Sequence, residues 1–274
     1  YTITANISNT TFQTTIWLSS MPFGTLTSAV EGAALSLGEA MTPITLNYTS
    51  QAGNGTIYNG TGNVSMVKDI NSGSGSSYAS YLTAIGNTLY FQASDGTNGT
   101  ELWKSDGTAS GTVMVKDINS GSGSSPQALT VIGNTLYFTA DDGTNGEELW
   151  KSDGTASGTV LVKDIRPGGP GSNLGSFTAV GNTLYFQADD GTNGFELWKS
   201  DGTANGTVMV KDIYSGSGSS NPSYLAAFGN TLYFEAGDGT NGNELCKSDG
   251  TASGTMMVKD ISSVGTTSSP AYLK

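Results

Sequence analysis

Thr88-Leu89-Tyr90-Phe91-Gln92-Ala93 runs into Asp95-Gly96-Thr97-Asn98-Gly99, then Glu101-Leu102-Trp103-Lys104 into Ser105-Asp106-Gly107-Thr108, and then Thr112-Val113-Met114-Val115-Lys116-Asp117-Ile118. Short stretches rich in Val, Ile, Tyr, Phe and Thr, separated by Asp-Gly and Asn-Gly, read as antiparallel strands joined by tight turns. Upstream, Tyr81-Leu82-Thr83-Ala84-Ile85 ends at the turn Gly86-Asn87 and adds one more strand. Downstream, a Gly/Ser linker covers residues 119–125. Four strands in about 48 residues is the size of one blade of a β-propeller.

The unit repeats. Val67-Lys68-Asp69-Ile70 returns at residues 115–118, 162–165, 210–213 and 258–261. A fixed period of this kind signals stacked or circularly arranged units, and the two ends of the chain favour a circle over a solenoid. Residues 44–49, 56–58 and 65–70 align with the second, third and fourth strands of a unit, so the first is missing there. Residues 268–274 align with a first strand, as comparison with Asn221-Pro222-Ser223-Tyr224-Leu225 indicates. Joining the two would close a ring and remove open sheet edges. The expectation is therefore an all-β, five-bladed β-propeller over residues 44–274, closed by the C-terminal strand and preceded by a non-repeat extension, residues 1–43.

The segment Glu101 to Thr108, repeated at 148–155, 196–203 and, with Cys for Trp, 244–251, resembles the ELWxxDGT repeat of bacterial secreted and surface proteins. The pair Leu-Tyr-Phe then Glu-Leu-Trp is also similar to the second and third strands of Kelch-type blades, although the Kelch double glycine is absent. The resemblance implies a propeller and an extracellular or cell-surface setting. It implies almost nothing about activity.

Composition narrows the function classes. The chain has 274 residues, a net charge of −12, only 12% charged residues and 39 Gly. An acidic, weakly charged surface repels phosphate backbones, so nucleic acid is not expected as a partner. No run of about 18 apolar residues suggests a membrane span. With no His and a single Cys, Cys246, most transition-metal chemistry and nucleophilic triads are excluded. Nearly every acid recurs in each unit, whereas catalysis needs a few carboxylates that break the symmetry. The exceptions, Glu31, Glu39, Glu147 and Glu235, form no recognisable set. The expectation is a chain that is not an enzyme.

Four groups of residues stand out as candidate sites. Trp103, Trp150 and Trp198 invite a sugar-stacking reading, yet Tyr58 and Cys246 stand in the same register, and packing between blades is the reading adopted. The Asp-Gly-Thr-Asn-Gly loops gather Asp95, Asp141, Asp142, Asp189, Asp190 and Asp238 on one face. Clustered carboxylates suit a hard cation such as Ca²⁺, while Asp-Gly and Asn-Gly are also default turn chemistry. The Ser-Asp-Gly-Thr segments read as hairpin locks, an Asp carboxylate folding back onto turn amides. The Lys-Asp pairs of the Val-Lys-Asp-Ile segments offer either ion ladders between blades or solvated edges.

Residues 1–43 match no repeat. Residues 2–8 and 11–18 read as strands, and residues 28–41 as a short helix with Ser28 as N-cap and Glu31 at the capping-box position. Sequons fall at Asn6, Asn9, Asn47, Asn54, Asn59 and Asn63, with Asn98 and Asn205 further on, which suits a glycan-bearing surface. An apolar, Thr-rich strand with no place in the ring can complement a neighbouring subunit. The functional expectation is a structural surface or filament subunit whose partners are copies of itself. The alternative is a multivalent, lectin-like propeller with glycan partners.

Overall fold

The computed structural model describes residues 65–261, 268 and 270 in full, and residues 2–7, 10–15, 24–27, 45–50 and 53–58 as backbone strands. The chain divides into two units, Tyr1–Met66 and Val67–Lys274. The first holds a hairpin, β1 (Thr2–Ile7) with β2 (Thr10–Thr15), and a three-stranded antiparallel sheet in the order β3 (Gly24–Thr27), β4 (Thr45–Ser50), β5 (Gly53–Tyr58). β1 lies within the expected first strand, and β2 overlaps the second. The expected helix over residues 28–41 lies outside the described residues.

The second unit contains four sheets, each a four-stranded antiparallel meander in sequence order. The first sheet is β6 (Ser80–Ile85), β7 (Thr88–Ser94), β8 (Thr100–Ser105) and β9 (Val113–Lys116). The second is β10 (Gln127–Ile132), β11 (Thr135–Asp141), β12 (Glu147–Ser152) and β13 (Val160–Lys163). The third is β14 (Gly175–Val180), β15 (Thr183–Asp189), β16 (Phe195–Ser200) and β17 (Val208–Lys211). The fourth is β18 (Ser223–Phe228), β19 (Thr231–Gly237), β20 (Asn243–Ser248) and β21 (Met256–Met257). These are the segments expected from the repeat, and no helix occurs among the described residues.

Strand alternation decides the packing, because neighbouring side chains point to opposite faces. In β7, Tyr90 faces the following sheet, while Phe91 and Ala93 face the residues that precede the first sheet. Tyr90, Leu102 and Val115 of the first sheet bury against Leu136, Phe138, Ala140 and Trp150 of the second. The same set recurs one repeat on, where Tyr137, Leu149 and Val162 meet Leu184, Phe186, Ala188 and Trp198. It recurs again where Tyr185, Leu197 and Val210 meet Leu232, Phe234, Ala236 and Cys246. Full burial of each large apolar side chain contributes about 1.5–3 kcal/mol, so these faces hold the stack together. Successive first strands also neighbour one another, and Thr178 donates to the Leu225 carbonyl at 3.1 Å across the third and fourth sheets. Serial face-to-face packing of four-stranded meanders is a propeller-like arrangement.

Two expectations need correction. The described residues hold four four-stranded sheets, not five. Closure of a ring by the C-terminal segment is not supported either. The position beside β4 that closure reserves for it is occupied by β3, with Thr25 opposite Thr49 and Leu26 opposite Tyr48. The physical reason lies outside the repeat. Gly24–Thr27 is short and matches no blade strand in sequence, yet its alternating backbone groups satisfy the edge of β4 as well as a repeat strand would.

Candidate functional site: the faces between successive sheets

Each sheet grips its successor through a small set of polar contacts around the apolar face. Lys104 of β8 donates to the Gly154 carbonyl in the next repeat at 2.8 Å, and Lys151 and Lys199 do the same to Gly202 and Gly250. The same turns receive the tyrosine. A Cβ on Gly154, whose φ is +88°, would collide with the Tyr90 hydroxyl, and Gly202 and Gly250 stand in the same relation to Tyr137 and Tyr185. Only glycine accommodates both the left-handed backbone and the approach. Burial, with the charge of Asp153 second, raises the Tyr90 phenol above its ordinary range, so it stays neutral.

The Val-Lys-Asp-Ile lysines cross between sheets as well, but they form no ion ladder. Lys116 donates to the Thr159 carbonyl at 2.8 Å, and its Nζ lies 5.6 Å from the ring centroid of Trp150. Lys68 and Lys163 lie 6.0 Å from the rings of Trp103 and Trp198. The three indoles are each 6% exposed, Trp150 and Trp198 between sheets and Trp103 in a cluster with Phe91 and Ile70, so they offer no platform for a sugar. The one ion pair among the described residues joins Arg166 to Asp189 at 2.6 Å.

The Ser-Asp-Gly-Thr turns are closed circuits. Asp106 Oδ1 accepts from the Thr108 amide and hydroxyl, Thr108 Oγ1 accepts from the Gly111 amide, and the Ser105 and Thr112 hydroxyls meet at 2.7 Å. The Thr108 hydroxyl, then its amide, holds the Asp106 carboxyl below its ordinary range.

The Asp-Gly-Thr-Asn-Gly acids are likewise engaged within their own loops. Asp95 accepts from the Thr97 and Asn98 amides at 2.9 and 2.8 Å and from the Asn98 side chain at 2.7 Å. Asp142, Asp190 and Asp238 repeat this pattern. Asp141 and Asp189 each accept from the glycine two residues on at 2.7 Å. Among the described residues no three acidic or thiol groups gather where they could hold a metal ion, so the six aspartates are not brought together. Of the sequons, Asn205 is exposed, and the Asn98 amide is engaged with Asp95. Asn6, Asn47 and Asn54 lie on strands described as backbone, and Asn9, Asn59 and Asn63 lie outside the described residues.

The residues that sequence reasoning passed over are the glutamates of Glu-Leu-Trp. Glu101 is fully buried. It accepts from the Ile118 amide at 3.0 Å, the Ser124 amide at 2.9 Å and the Ser124 hydroxyl at 2.5 Å. Glu196 does the same for Ile213 and Ser220, and Glu148 accepts from the Ile165 amide and the Ser172 hydroxyl while the Ser172 amide donates to the Glu147 carbonyl. Each carboxylate thus fastens the end of its own fourth strand to the start of the next repeat. Burial pushes the Glu148 carboxyl up to about 7 against the hydrogen bonds that favour its charge. Recurrence alone could not single these acids out, because the exposed Asp106, Asp153, Asp201 and Asp249 recur as regularly.

The fourth sheet carries the same gripping set with no following sheet among the described residues. Glu244 holds the Ile261 amide at 3.2 Å and the Ser268 hydroxyl at 2.5 Å, so the chain turns out of this sheet as it turns out of the other three. Yet Val258 is 46% exposed where Val115, Val162 and Val210 are 6%. Ile261 is 62% exposed and Phe228 79%. Tyr233 and Leu245 are half-buried, whereas their counterparts Tyr185 and Leu197 are buried.

No protein-family signature and no curated protein matches the chain. Solved structures that it is similar to include a computationally designed protein, Ika8, at 18% identity and a TM-score of 0.38, over 66% of this chain and 49% of that one. They include a puromycin hydrolase, as the S511A mutant complexed with PGG, at 16% identity and a TM-score of 0.43, over 63% of this chain and 27% of that one. A puromycin-hydrolyzing peptidase of Mycobacterium tuberculosis matches at 15% identity and a TM-score of 0.46, over 70% of this chain and 31% of that one. The chain spans about half the length of the first of these and under a third of the two hydrolases. The expectation that the chain is not an enzyme is overturned by the recurrence of hydrolases, prolyl oligopeptidases among them, in this set. At these identities and TM-scores the likeness transfers no activity and no catalytic residue to this chain.

Proposed function

We propose that this chain is an extracellular structural subunit that assembles with copies of itself, the open face of its fourth sheet receiving a fifth sheet. The observation that carries the proposal is the exposure of Phe228, Val258 and Ile261 at positions that the three preceding sheets cover. Three internal copies of one interface define what fits there: a β-sheet with an apolar face and a glycine turn to accept the Lys247 ammonium. Contiguous exposed apolar surface of this kind marks an interaction site.

The occupant is the N-terminal unit of a neighbouring copy, which contains the sheet β3–β4–β5. Its three strands are one short of a blade, and in chain order it precedes the stack, as a fifth sheet in a head-to-tail arrangement must. Such contacts are heterologous and generate filaments where the rotation does not close. The acidic, weakly charged composition, the sequons and the resemblance to ELWxxDGT repeats support a place at the cell surface or outside the cell.

Electron microscopy of the full chain tests the reading. Filaments or higher rings with a uniform axial repeat are expected. Single discs at every concentration would mean that each chain covers its own fourth sheet, forming a five-bladed monomer, and would end the self-assembly proposal.

A further inference from the structure

Two of the three interfaces between sheets place an indole in the same position, and the third does not. Trp198 pairs in register with Phe186 on one side and Met209 on the other. In the fourth sheet Cys246 takes that register, opposite Phe234 and Met257. What surrounds the missing ring is retained. Lys211 still donates to the Thr255 carbonyl at 2.9 Å, as Lys163 does to the Thr207 carbonyl at 2.8 Å. Leu197, Val210, Phe234 and Ala236 stay buried. The third and fourth sheets have therefore kept their spacing without collapsing onto the smaller side chain. A cavity of ≈ 370 Å³ remains, lined by Lys211, Ile213, Ala236, Asp238, Cys246 and Met257 among others. That volume falls within the roughly 300–1,000 Å³ typical of small-molecule pockets.

We propose that this cavity binds a small planar aromatic molecule of indole size, seated under Lys211 where the other repeats carry their own indole. The chemistry of the walls selects the class. Ala236, Ile213 and Met257 offer apolar surface, and a methionine thioether favours contact with an aromatic ring. The Lys211 ammonium is already fixed on the Thr255 carbonyl, as Lys116 and Lys163 are fixed on theirs beside their rings, so a ring's electron-rich face is attracted there, with Asp212 and Asp238 also lining the space. The thiol adds no charge, because burial, with Asp238 second, pushes Cys246 up to about 12. This site is independent of the self-assembly reading, since all of its residues lie between the third and fourth sheets of one chain.

The test is isothermal titration of the full chain with indole, using cyclohexanol as a non-aromatic control. The intact chain should give saturable heat with one indole per chain and none with cyclohexanol. Cys246→Ala should retain binding, and Lys211→Met should weaken it about three- to tenfold. Cys246→Trp should abolish it, because the side chain then fills the cavity. Where Cys246→Trp fails to fold, Cys246→Phe gives the same reading. No saturable heat with the intact chain, undiminished binding after Cys246 is enlarged, or equal uptake of cyclohexanol would each overturn the proposal.

Discussion

The third and fourth sheets are built from nearly the same residues, and they differ in what covers them. Tyr185, Leu197 and Val210 of the third sheet are closed over by the fourth, Leu197 completely. Tyr233, Leu245 and Val258 of the fourth sheet hold the same positions in the repeat, and Val258 is 46% exposed. The sheet itself is therefore formed by local strand pairing and turn chemistry, without needing a successor. The burial that stabilises the stack is a separate matter, supplied between units. A repeat that presents the same face at every copy presents it again at the fourth sheet, where Val258 is exposed.

The comparison can be broken most forcefully with a charge. Val210→Asp buries an unpaired carboxylate, at a cost of about 4 kcal/mol or more, and should unfold the chain at ordinary temperature. Val258→Asp, at the equivalent position of the open face, should cost the isolated chain less than about 1 kcal/mol. Urea denaturation of both variants reads the contrast. Equal losses would mean that the fourth sheet is covered after all.

A second contrast concerns the interface residue itself. Trp150→Ala should cost about 3–5 kcal/mol through loss of packing between the first and second sheets. Cys246→Ala removes a single sulfur beside an existing cavity and should cost about 1 kcal/mol at most. Thermal melts distinguish the two. A large loss from Cys246→Ala would show that the thiol holds the interface together.

The buried glutamates give the chain an unusual pH response. Glu148 has a folded pKa raised to about 7, above its unfolded value of 4.5. Below that unfolded value the contribution is fully present. As the pH rises from 4.5 through about 7, the unfolded state releases its proton more readily, and stability falls by about 3 kcal/mol for this group. Denaturation midpoints measured at steps across this window, in the chain and in Glu148→Gln, should show a decline that the variant largely lacks. Midpoints that rise over the same window would contradict the assignment. The loop aspartates act in the opposite sense and lower: the Asn98 amide leads in depressing Asp95, so its contribution is lost only as pH falls below the ordinary carboxylate range.

The smallest expected effect is at the lysines. Lys151→Met deletes the hydrogen bond to the Gly202 carbonyl and should cost about 1 kcal/mol. Lys247→Met, in the sheet with no successor among the described residues, should change the isolated chain by less than about 0.5 kcal/mol. The same variant should weaken assembly, which chemical denaturation at low and high protein concentration separates from folding.

Much of this architecture is legible in the repeat. The four meanders follow from strand alternation and Asp-Gly turns, which act over a few residues. The burial of Trp103, Trp150 and Trp198 follows from Tyr58 and Cys246 standing in for them. Two things were not legible. The partner of β4 is set by Gly24–Thr27, a four-residue strand outside the repeat, and edge pairing depends on backbone groups that every sequence carries. The role of Glu101, Glu148 and Glu196 was obscured because a recurring acid resembles a surface acid until its partners in the following linker are known. The cavity beside Cys246 lay between these cases: the lost indole was visible, whereas the failure of the sheets to close over the gap was not.

The central claim, that the fourth sheet offers a docking face to a second copy, is tested most directly by the solution mass of the full chain beside the double variant Phe228→Asp, Val258→Asp, each measured by sedimentation over a hundredfold range of concentration. The account predicts that the mass of the parent chain rises with concentration while the variant stays at the mass of one chain. A parent chain that remains monomeric throughout, or a variant that assembles as readily, would contradict it.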